Sequence, residues 1–260
     1  MNACFMVVDP KVNVRLGVTS NTDIDTNKSH QQVSMDLNLS GIKVNRFDDE
    51  IKTVVMQNGR WDNAVLNATP QYVTADAASW NHNKALIFNA GNEYRKFETL
   101  DVTHTTMGIE SVEWDGKDYH ANVWTDEPRT NYVYDEDANG AFYIRNSDNR
   151  ENDVTTEYVI VNFRLKTNRQ NNDIFINANW TNDRFLDKYK MVYDPATELY
   201  TASIKLKQGY YSYQYLSLDS EGKAHPLASE GNFFQTENMY QALVYYRGSG
   251  QRTYQLVGYQ

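Results

Sequence analysis

The chain has 260 residues and a net charge of −9, from 25 basic and 34 acidic side chains. It lacks the basic clusters that phosphate neutralisation needs, which argues against nucleic acid as a partner. No apolar run approaches the ~20 residues of a membrane-spanning helix. The single cysteine, Cys4, permits neither an internal disulfide nor a thiolate metal cage. The composition is 40% hydrophobic, and 19 of its aromatics are tyrosines. Tyr, Val, Ile and Thr recur in short alternating runs, which favours an all-β chain.

In chain order, strands are expected near 4–8, 12–18, 30–39, 51–57, 85–89 and 93–104. The first apolar run, ACFMVV, is cut off by Asp9-Pro10 and has no basic flank. It reads as a strand inside a domain rather than a signal peptide, so Met1 is not expected to be the natural start. In HQQVSMDLNL, Val33, Met35, Leu37 and Leu39 share one face, the pattern of a half-buried strand. IKTVVMQNGRWDNAVL reads as a hairpin with a type I′ turn at Asn58-Gly59. VTADAASWNHN (73–83) breaks the alternation and predicts a short helical turn. These elements make a first β-sandwich domain, 1–112.

Residues 113–153 read as an extended hairpin and linker, with DYHANVW and NYVYD…AFYIR as its strands and the polar NSDNREND (146–153) as the connection. From residue 154 the alternation is cleaner. Val159, Val161, Phe163 and Leu165 share a face, as do Tyr200, Ala202, Ile204 and Leu206. With DIFINA, GYYSYQYLSL, MYQALVYY and TYQLVGY, about seven strands occupy ~100 residues, the cadence of an immunoglobulin-like sandwich over 154–260. The expected fold is all-β, two β-sandwich domains in tandem.

Candidate chemistry is sparse. DEDANGAFYIRN (135–146) opens like a calcium loop, with Asp135, Asp137, Asn139 and Gly140 in place, but its twelfth residue is Asn146 rather than a bidentate Glu. A polar hairpin turn at Asn139-Gly140 is the alternative. The five histidines show no metal-ligand spacing. There is no G-x-S-x-G elbow and no glycine-rich phosphate loop. The expectation is a protein without catalysis, cofactor, metal or small-molecule substrate.

Tyr211, Tyr213 and Tyr215 alternate in LKQGYYSYQYLSL, so a strand there projects three rings from one face, as core or as a ligand platform. The order DIFINANWTND, KMVYDPATELYTASIKL, KQGYYSYQY resembles the early-set sandwich of glycogen-binding modules. That resemblance implies buried tyrosines and a core Trp180. It puts Asp183 or Arg184 where a sugar-stacking Trp would stand.

A second resemblance spans nearly the whole chain. MQNGRWDN (56–63), FNAGNEYRKFE (88–98), YDEDANGAFYI (134–144), LKQGYYSYQY (206–215) and GNFFQTENMYQALVYYR (231–247) are similar, in this order, to the plug protein of the Bacteroidota type IX secretion system. The resemblance implies a periplasmic, outer-membrane-associated protein that seals the large barrel translocon by occlusion. It also implies a further β-domain before CFMVVDPKVNV, so the chain reads as the second and third domains. The family-like segments nominate Asn58, Gly59, Arg60, Gly91, Asn92, Glu93, Arg95, Gln235, Thr236, Glu237 and Asn238 as partner contacts or as a polar network fixing register. Glu93 and Arg95 are expected to share a strand face and to form a charged network with Arg60. A carbohydrate-binding module is the alternative function, and a glycosidase with paired carboxylates a third.

Overall fold

The computed structural model describes residues 5–24 and 29–260, and Cys4 lies outside them. Among these residues the regular structure is nearly all strand, and no helix exceeds four residues. The chain forms two compact units. One joins the residues up to Ala90 with Phe233–Gln260, and the other is Gly91–Asn232.

This division differs from the expected 1–112, 113–153 and 154–260. The second unit is inserted into the first rather than following it. Tyr240–Tyr246 pairs antiparallel with Ile51–Gln57, and Gln255–Tyr259 pairs with Tyr240–Tyr246, so the last two strands complete the first unit. Conversely, Arg95–Thr99 pairs with Gly209–Leu218, and Tyr119–Val123 lies parallel to Tyr158–Lys166. Alternation tells which face of a strand is buried but not which distant strand it joins.

The first unit stacks two sheets. One has the order Asn13–Thr19, His30–Asn38, Ala77–Trp80, Tyr72–Val73, with Ile87–Asn89 also on His30–Asn38. The other has the order Gln255–Tyr259, Tyr240–Tyr246, Ile51–Gln57, Val65–Leu66. Val33, Met35, Leu37 and Leu39 meet Val55, Ala242, Val244 and Val257 in the core, as the alternation implied. Each of these valine, leucine and methionine side chains, fully buried, contributes roughly 1.5–3 kcal/mol.

Two local expectations need adjustment. Asn58 and Gly59 have φ of 55° and 69°, and Arg60 N donates to Gln57 O at 3.1 Å, as a type I′ turn requires. Yet Val54 pairs with Leu66 rather than Asn63, so the hairpin is looser than a two-residue connection. The segment 73–83 holds the strand Ala77–Trp80 instead of a helical turn. Burial of the whole Trp80 ring decides this, with its indole N–H donated to Ala68 O at 2.7 Å.

The second unit is also a sandwich. One sheet runs Val192–Asp194, Leu199–Lys207, Tyr158–Lys166, Tyr119–Val123, Ile109–Trp114. The other is organised by Gly209–Leu218, flanked by Arg95–Thr99, Phe142–Ile144, Asp173–Asn177 and Ala224–Pro226. The expected bridging hairpin therefore supplies strands to this unit. The expected linker is also part of it, with Ser147 N donating to Leu100 O at 3.0 Å.

Tyr211, Tyr213 and Tyr215 point into this sandwich and are at most 2% exposed. Tyr213 packs edge-on against Phe163 with centroids 5.2 Å apart, and Tyr211 stacks on Phe97 at 5.2 Å. Trp180 closes the cluster and donates its N–H to Ser212 O at 3.0 Å. The three tyrosines are core.

Candidate functional site

Burying tyrosines obliges each hydroxyl to find a partner. Tyr211 donates to Lys207 O at 2.6 Å, at the strand's start. Tyr213 and Tyr215 both donate to Asp126 Oδ2, at 2.8 and 2.7 Å. The other Asp126 oxygen accepts from Arg95 Nη1 at 2.7 Å. Arg95 in turn meets Glu230 at two points, and Arg129 Nη2 reaches Glu230 Oε2 at 2.7 Å. Arg129 Nη1 also donates to Glu93 O, and Tyr132 donates to Glu93 Oε1 at 2.7 Å. A charge network thus runs from the aromatic core of the second unit to its loops.

The electrostatics follow from the burial. Burial penalises the Arg95 charge, and the Glu230 hydrogen bond with the Asp126 and Glu230 charges outweighs it, so the guanidinium holds its proton more tightly than usual. Burial pushes the Asp126 carboxyl up, against Arg95 and the two tyrosine hydroxyls. Three donors converge on its two oxygens, the geometry of a carboxylate. Burial, then the Asp126 charge, raises Tyr213 and Tyr215 well above the ordinary phenol, which keeps them neutral donors.

Beside the network lies a groove of about 880 Å³. Thr125 and Glu127, which flank Asp126, form part of its wall, as does Ser229, next to Glu230. The network therefore fixes the groove's base, with Asp126 N bonded to Arg164 O and Lys166 N to Asp126 O. The opposite wall is the loop Lys166 to Gln170 and the hairpin holding Tyr193, Thr197, Glu198 and Leu199.

The nominated residues divide between the units. In the first, Asn58 Nδ2 donates to Asn238 Oδ1 at 2.8 Å, and Met239 N donates to Asn58 Oδ1. Asn238 Nδ2 reaches Ala90 O, and Gln31 Nε2 reaches Thr236 O. Arg60 pairs with Asp62 at 2.6 Å, both nearly buried. In the second, Gly91 N donates to Asn232 Oδ1 at 2.6 Å and Asn92 Nδ2 to Glu230 O at 2.8 Å. Glu93 lies just before the strand Arg95–Thr99, and Arg129 links its carbonyl to Glu230, the partner of Arg95. Asn58 and Asn238 in the first unit, and Asn92 and Arg95 in the second, are thus hydrogen-bonded within their own unit. Gln235 and Glu237 are exposed.

Sequence reasoning found Arg95 and missed Asp126, Arg129 and Glu230. The available signal was the tyrosine pair itself, since two buried phenols in one row each need an acceptor within reach. At 135–146, Asp137 accepts from Tyr94 N and Asn139 N, and Asp135 pairs with Lys96 at 2.6 Å. Asn139 and Gly140, with φ of 49° and 85°, turn the chain. Among the described residues no cluster of His, Cys, Asp or Glu suits a metal ion.

No protein-family model matches the chain, and no curated protein matches it. A solved structure does, the crystal structure of a hypothetical protein from Parabacteroides merdae. It is 38% identical, with a TM-score of 0.95 over 99% of this chain and 66% of that one. The all-β sandwich fold is common to both, and this chain spans about two thirds of that relative's length.

Proposed function

We propose that this protein is the non-catalytic plug of the type IX secretion translocon, closing the periplasmic side of its outer-membrane barrel by protein–protein contact. The observation that carries the reading is the ordered run of five family-like segments from residue 56 to residue 247. Two features support it. The tyrosine row is core, which takes its proposed platform from the carbohydrate-binding alternative. The segment 231–238 is anchored by Thr236 and Asn238 and holds Gln235 and Glu237 outward. An anchored loop presenting polar side chains is a common recognition device.

Occlusion needs a stable body and a docking surface, and no reacting group. Photo-crosslinkers placed at Gln235 and Glu237 test the docking surface in outer-membrane preparations. Adducts with the barrel protein are the expected result, and adducts absent there but formed at sites on the opposite end of the unit would contradict it.

A further inference from the structure

We propose that the groove at the end of the second unit binds a neutral oligosaccharide, an activity separate from occlusion of a pore. Its volume of about 880 Å³ falls in the range of small-molecule sites. Its walls alternate donors and acceptors: Asn168 and Gln170 from one loop, Thr197 and Glu198 from the hairpin, Thr125 from beside Asp126. Lys166 and Glu127 pair across the rim at 3.2 Å, so the charges there are mutually compensated. The two carboxylates, Glu127 and Glu198, balance the two cations, Lys166 and Arg169, so no net charge of the lining selects an acidic or a basic ligand. A hydroxyl-rich neutral ligand suits such a lining.

Two observations point to a ligand. The half-buried ring of Tyr193 lines the groove, backed by Tyr200 at 4.9 Å with the Arg169 guanidinium 5.8 Å from its centroid. The guanidinium lies over the ring that Tyr200 braces, so the two together present planar donors and an aromatic edge to the groove. On the other wall, Ser229 Oγ is buried without a hydrogen-bond partner, and the adjoining Arg129 Nε is too. Buried polar atoms are rarely left unpaired, and Ser229 belongs to the groove's own lining, where a ligand hydroxyl can partner it.

The groove is also preorganised. Gln170 N donates to Tyr200 Oη at 2.7 Å, which fixes one loop against the hairpin beneath Tyr193. The Arg95 network holds the other wall.

The test is calorimetric titration of the intact chain with maltotriose, cellotriose, chitotriose and mannotriose. At least one is expected to bind, with its affinity lowered about tenfold, ~1.4 kcal/mol, by Tyr193→Ala and by Asn168→Ala. Asn168 is exposed on its loop, so that variant keeps the test valid if Tyr193→Ala fails to fold. Gln235→Ala is expected to bind as the parent does. Absence of binding by all four sugars overturns the proposal. So does binding that both folded groove variants leave unchanged, or binding of neutral peptides alone.

Discussion

Arg95 and Glu230 meet at two points, Nε to Oε2 at 3.0 Å and Nη2 to Oε1 at 2.8 Å, with side chains only 12% and 5% exposed. The pair joins the first strand of the second unit to the 3-10 turn Ala228–Glu230, 135 residues later. Because both charges are withdrawn from water, the energetic weight lies in the consequence of losing one partner. Arg95→Ala leaves Asp126 and Glu230 without their shared cation and should destabilise the second unit by about 3–5 kcal/mol. Urea unfolding of the two proteins measures this. Arg95→Lys should recover only part of the loss, because a single ammonium cannot reproduce the two-point geometry. Equal stability of Arg95→Ala and the parent would show that the network carries no load.

Tyr213 and Tyr215 share one acceptor oxygen, which predicts coupling between them. Each Tyr→Phe change removes one hydrogen bond to a charged group, a loss of about 1.5–3 kcal/mol. The double variant strips Asp126 Oδ2 of both phenol donors, so its cost should differ from the sum of the single costs by more than ~0.5 kcal/mol. A double-mutant cycle in urea gives the coupling directly, and strict additivity would contradict a shared carboxylate.

The turn at Asp137 supplies a pH dependence. Burial, and more weakly the Glu93 charge, push its carboxyl from 3.8 up to about 6, against the backbone N–H groups of Asn139 and Tyr94 and the charge of Lys96. The folded-state value is the higher one, so the folded protein binds the proton more tightly than the unfolded chain. The resulting stabilisation is full below about 3.8 and is lost as pH rises through about 6. Between pH 7 and pH 5 the parent should therefore gain melting temperature relative to Asp137→Asn. A difference that is flat or opposite in sign across that interval would refute the assignment.

How much of this was legible beforehand depends on range along the chain. The inward faces of 33–39 and 159–165 followed from alternation alone, because side-chain direction in a strand is a local property. The burial of Tyr211, Tyr213 and Tyr215 was legible as a shared face, and the resemblance to an early-set sandwich indicated which way it points. The insertion was not legible, since nothing local in MYQALVYY states that its partner is IKTVVMQ, almost 200 residues earlier. The network escaped for the same reason. Asp126 forms an isolated bridge to Leu165 and Glu230 ends a short 3-10 turn, neither marked by composition, and only the fold brings them to Arg95.

Gly209, at the head of the tyrosine-bearing strand, stands there for a steric reason. A Cβ on Gly209 would lie 2.3 Å from Tyr143 O and 3.1 Å from Ile144 Cα, both backbone atoms of the neighbouring strand. Gly209→Ala should force Phe142–Ile144 away and cost about 1–3 kcal/mol. Amide hydrogen exchange should quicken at Arg145, whose N–H bonds Gln208 O, before the core strands respond. Unchanged protection there would show that the strand can yield without loss.

The most direct test of the central claim is affinity capture of the tagged chain from detergent-solubilised outer membranes, with the recovered proteins identified by mass spectrometry. A plug should bring down the large barrel translocon, keep it in the presence of excess soluble glycan, and lose it when Gln235→Ala is combined with Glu237→Lys. If folded bait recovers no barrel, or the recovered barrel is indifferent to both exposed residues and is released by glycan, the plug account is contradicted.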